Sequence, residues 1–154
     1  MIRAMRRSGA DGVRVVHVRA GELAEEAWVY AWLRVEDERR VVYVGATGLP
    51  PDTRTWLHLH DPDPAVGRVA ARYPQAATEP LDVIAVRVPA DAPRGEVKEA
   101  LVAELATRGL LSDRYVGDSP GAGPPTAASA VAATAQRLLD AIVAWVAGED
   151  PTDA

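Results

Sequence analysis

The chain has no cysteine, a single lysine and no long uncharged apolar run. Without cysteine there are no disulfides, no thiolate metal sites and no cysteine nucleophile. Without a long apolar run or a signal-peptide core, the expectation is a cytoplasmic protein with no membrane contact. Positive charge is also scarce: 17 Lys+Arg stand against 22 Asp+Glu, a net charge of −5. That balance argues against a nonspecific nucleic-acid coat protein, which is normally basic. It leaves room for a nucleic-acid enzyme with a local positive cleft, because the field at a site counts for more than the total.

What is present is a core. Hydrophobic residues make up 48% of 154 positions, enough for one folded domain with an appended helix. Residues 1–11 read as a flexible basic arm, 12–118 as the folded domain, 119–127 as a linker, 128–148 as an amphipathic helix and 149–154 as a tail. The linker follows from its proline, glycine and serine content. The helix carries Val131, Leu138, Leu139, Ile142, Trp145 and Val146 on one stripe, expected to pack or to mediate a homodimer or protein-partner contact. Its stripe is broken by alanines and it lacks a basic face, which speaks against a membrane anchor.

Within the domain, "VRVVHVR" (13–19) is β-branched and strand-like, followed by the acidic connection "GELAEEA". "AWVYAWLRV" (27–35) and "RVVYVGA" (40–46) are joined by the charged turn "EDER", a hairpin signal. Pairing about that turn sets Leu33 against Val42, Ala31 against Val44, Trp32 against Tyr43 and Tyr30 against Gly45. One face is then small and aliphatic, including Val29, Leu33, Val42 and Val44. The other gathers Tyr30, Trp32 and Tyr43 where a ligand can reach them. Trp28 and Trp32 suit base stacking, or packing under the N-terminal arm or the C-terminal helix.

After Pro50-Pro51, "DTRTWLHL" opens a short helix capped by Asp52 or Thr53. A second short helix ends before Pro74, "LDVIAVRVP" (81–89) is a strand, and a long helix follows with Asp91 as cap and Gly109 as stop. The fold class is α/β, an α+β sandwich of a small, mostly antiparallel sheet flanked by helices. An extra N-terminal strand and a C-terminal helix complete it.

"WVY" (28–30), "YVG" (43–45) and the run "YVGATGLPPDTR" ending at Arg54 resemble the GIY-YIG nuclease superfamily over roughly residues 27 to 116. Arg54 and His58 match an Arg-x-x-x-His found in some members. The resemblance implies a DNA endonuclease that hydrolyses a phosphodiester with Mg²⁺ or Mn²⁺. Tyr30 and Tyr43 would position or deprotonate water, with His58 assisting. Arg54 would stabilise the phosphate, and a glutamate of the long helix would hold the metal. The closest match to the family's Glu-x-x-Leu-Ile places Lys98 at the metal-ligand position, where it would bind phosphate. Two other registers offer Glu104 or Glu99. In place of the family's asparagine after this helix stand Arg114, Tyr115 and Val116, with Asp118 nearby. These departures keep a second reading open, a degenerate domain that binds nucleic acid or a protein partner without cutting. A third is a metal hydrolase built on His58, His60 and Asp61, since His-x-His with a nearby Asp is a ligand spacing. His17 reads as a strand residue.

Overall fold

The computed structural model describes residues 17–23, 26–122 and 129–154. The expected arm, the start of the first strand and most of the linker lie outside these.

The described end of the first strand, β1 (Val18–Arg19), pairs with β2 (Glu22–Leu23) in a hairpin of its own. Part of the expected acidic connection is therefore strand. Its turn residues Ala20 and Gly21 both have positive φ, as a tight two-residue hairpin loop requires.

The main sheet is antiparallel, with β3 (Ala27–Arg34) between β4 (Val41–Thr47) and β5 (Leu81–Val88). The predicted register holds for Tyr30 against Gly45, Ala31 against Val44 and Trp32 against Tyr43. It then slips, so that Leu33 faces Val41 rather than Val42. A bulge absorbs the extra residue. Val42 consequently joins the aromatic face and Val41 takes the expected core position. The outer edge of β4 is covered by the segment 110–116. The Ser112 and Val116 amides donate to the Val41 and Val42 carbonyls, both at 2.8 Å.

Helices lie on both faces of the sheet. α1 (Pro51–His60) and the short α2 (Arg68–Arg72) cover one face; α3 (Arg94–Thr107) and α4 (Ser129–Val146) cover the other. Neither α1 nor α3 is capped by Asp52, Thr53 or Asp91. Prolines 50 and 93 occupy the N-cap positions, without a side-chain hydrogen bond. Gly109 does follow α3 with positive φ, where a side chain would be strained.

The aliphatic face meets Val97, Leu101, Val102 and Leu105 of α3 and Val131, Leu138, Leu139 and Ile142 of α4. α4 is long and apolar enough to cross a membrane by composition. Its expected stripe is nevertheless buried in this chain's own core, with only Val143 left as a large exposed apolar residue. Trp145 locks it down, donating to Asp82 at 2.9 Å beneath the Arg39 guanidinium.

Candidate functional site

The second face of the sheet holds the polar chemistry. β3 presents Tyr30 and Trp32, β4 presents Tyr43, and α1 lies across them. Arg54 and His58, one helical turn apart, both face the sheet, a consequence of i, i+4 spacing. The expected open aromatic face is instead a second core. Tyr30 is 3% exposed, Tyr43 4% and His58 0%. Val69, Tyr73 and Val42 complete it. Trp32 packs edge-on against His58 rather than under the C-terminal helix, while the arm lies outside the described residues. Trp28 is half-buried at the end of β3, donating to Glu26 at 3.2 Å.

At the centre, the Tyr30 hydroxyl and His58 Nε2 are 2.6 Å apart. Burial and the flanking guanidinium groups of Arg54, Arg68 and Arg72 push His58 down to about 3, so the imidazole is neutral. Burial and the neighbouring Tyr43 push Tyr30 up to about 12, with Arg54 beside its hydroxyl opposing the rise. A neutral phenol beside a neutral imidazole donates, and the Nε2 lone pair accepts. The imidazole proton then sits on Nδ1, which is buried with no protein partner.

Gly45 makes this contact possible. A Cβ there would collide with the Tyr30 hydroxyl, so a side chain on β4 would block Tyr30 from crossing to α1. Tyr43 lies beside both groups, its ring 6.3 Å from Tyr30 and 5.1 Å from His58.

A charged rim surrounds the buried pair. Arg54 is half-buried, while Arg68 and Arg72, i and i+4 on α2, are exposed. Lys98 is half-buried on α3 and donates to Asp118 at 2.6 Å. That contact holds the Asp118 carboxyl below its ordinary range. Tyr115 donates to the Asp118 carbonyl at 2.9 Å. Burial, Asp118 and Tyr43 raise its hydroxyl pKa. Arg68 and Arg72 escape the sequence reading, although the i, i+4 arginines in "GRVAARY" are a legible signal, and Tyr115 is named there without a role.

The other predicted residues do not converge here. Glu99 is exposed on α3; Glu104 is exposed too and pairs with Arg108 at 3.6 Å. His60 stacks on the exposed Trp56, and Asp61 binds the Asp63 amide within a turn. The three groups of the metal-hydrolase reading therefore point to different surroundings. Among the described residues no three His, Cys, Asp or Glu come together to hold a metal.

No protein-family model matches the chain, and no curated protein or solved structure matches it either. What the fold defines is a class, an α+β protein with a three-stranded antiparallel sheet between helices.

Proposed function

We propose that this chain is a GIY-YIG-like endonuclease that hydrolyses DNA phosphodiesters at the Tyr30–His58–Arg54 pocket. The observation that carries the reading is the 2.6 Å contact between the Tyr30 hydroxyl and His58 Nε2, with Arg54 beside it. In the proposed reaction, water attacks phosphorus and the P–O bond to the leaving oxygen breaks. The water proton passes to the Tyr30 oxygen as the Tyr30 proton passes to His58 Nε2, and solvent protonates the leaving group. Arg54 offsets the charge growing on the phosphoryl oxygens.

Burial is the first cause of the depressed His58 basicity, and the three arginines that add to it are the ones a phosphate would neutralise. Substrate binding would therefore lift the arginines' share of the depression and leave that of burial. In this scheme the base is weak in the free protein and strengthened by its substrate. Lys98 is ion-paired with Asp118 and brings no net positive charge to this scheme.

The test is cleavage of plasmid and branched DNA with Mg²⁺ or Mn²⁺, comparing wild type with Arg54→Ala and Tyr30→Phe. Each substitution should lower cleavage by about 10²-fold or more. Cleavage indifferent to both would remove the assignment of this pocket.

A second reading has its own support. The pair is almost wholly buried, and among the described residues no three His, Cys, Asp or Glu gather to hold a cation. Both suit a domain that binds nucleic acid or a protein partner without cutting. Binding of DNA that Arg68→Ala and Arg72→Ala weaken, with no cleavage under any condition, would select it.

A further inference from the structure

At the Trp28 end of the sheet lies an open groove of about 610 Å³ lined from four elements, β3 contributing Ala27. Arg87 reaches it from β5, Arg94 from the first turn of α3 and Arg137 from α4, over Pro89 and Ala92. The one carboxylate in its lining is Glu26, already bonded to Arg87 at 3.2 Å and to the Trp28 indole. Among the described residues neither Arg94 nor Arg137 joins an ion pair. Three guanidinium groups against one carboxylate form a local excess of positive charge in a chain of net charge −5. Like charges gathered this way repel, and a phosphate relieves them with the fork geometry arginine matches best.

Two further observations tie the groove to the Tyr30 pocket. In the β3–β5 pairing Trp28 faces Arg87 and Tyr30 faces Ala85, so Arg87 lies on the Tyr30 side of the sheet. The two positions are two residues apart, about 7 Å along a strand. That is the axial rise of about two nucleotides. Arg94 lies against the turn that leads from β4 to α1. A Cβ on Gly48 would sit 3.1 Å from its Nη1. The same turn delivers Arg54.

We propose that this groove is a second phosphate subsite, gripping the backbone of the nucleic-acid strand whose scissile phosphate lies at Tyr30 and Arg54. It rests on the nuclease reading and adds the path of the strand. Arg94 and Arg137 hold the neighbouring phosphates, and Arg87 lines the groove on the Tyr30 side of the sheet. Interactions of this kind fix register without reading bases.

The experiment is equilibrium binding of a fluorescent single-stranded oligonucleotide across a salt series. The proteins are wild type, Arg54→Ala, the double variant Arg94→Ala/Arg137→Ala and its charge-preserving counterpart Arg94→Lys/Arg137→Lys. The alanine double variant should bind at least about 10-fold more weakly. Its slope of log affinity against log salt should fall by about 0.7 for each single-strand phosphate it no longer neutralises. The lysine variant should keep most of the slope, which separates charge from misfolding. Wild-type binding with an unchanged slope in the alanine variant would overturn the subsite and leave the nuclease reading standing. Failure of wild type to bind any oligonucleotide would overturn both. Competition by inorganic phosphate that needs Arg137, with an unchanged oligonucleotide slope, would mark an isolated anion pocket and overturn the strand path.

Discussion

Gly45 and His58 show how much of the site rests on single residues. A methyl group at position 45 has to displace the Tyr30 ring, because its Cβ would collide with the hydroxyl. Gly45→Ala is therefore expected to cost about 1–3 kcal/mol by overpacking, read by urea denaturation. It should also break the Tyr30–His58 hydrogen bond. His58 makes a prediction in pH. Its folded pKa of about 3 lies below the ordinary 6.5, so between these values the unfolded chain binds the extra proton. Stability from this group is fully present above pH 6.5 and is lost as pH falls through that window. The loss is at most about 1.4 kcal/mol per pH unit for one proton. Stability curves from pH 7 to 4 should flatten in His58→Gln. Equal acid sensitivity in both proteins would place the buried proton acceptor elsewhere.

At the level of elements, the helices divide the tasks. α1 brings Arg54 and His58 to the sheet, and α2 adds Arg68 and Arg72. α3 brings Lys98 to Asp118, whose lowered carboxyl pKa depends first on that hydrogen bond. Lys98→Met should raise the Asp118 pKa toward the ordinary carboxylate range, as followed by NMR titration of its side chain. α4 supplies most of the packing on its face and also carries Arg137 to the groove. Leu138 is fully buried against the core, and Leu138→Ala should cost about 2–5 kcal/mol by thermal or chemical unfolding. A negligible cost would mean that α4 is held by something other than its apolar stripe.

For the whole molecule, the distribution of charge matters more than its sum. An acidic chain places Arg54, Arg68 and Arg72 about the buried His58 and Arg87, Arg94 and Arg137 around one groove. On the proposed reading, nucleic-acid affinity should therefore fall steeply with salt despite the net charge of −5. A salt-independent affinity would point to a ligand recognised by shape or apolar contact.

The local pattern was enough for the layer order and for the centre of the hairpin. Period-two alternation put Tyr30, Trp32 and Tyr43 on one face, and i, i+4 spacing put Arg54 with His58. Both are properties of the backbone repeat and need no distant residue. The bulge after Trp32, the burial of the aromatic face and the pairing of Lys98 with Asp118 came from contacts between remote segments. So did the gathering of Arg87, Arg94 and Arg137. Sequence separation hides such contacts, because any arginine in a solvated turn looks like any other until the chain folds beside it. Residue types and local faces were legible from the sequence; only the tertiary structure decided which faces close over which. That closure sets the dielectric, and with it the difference between a strand tyrosine and a buried proton donor.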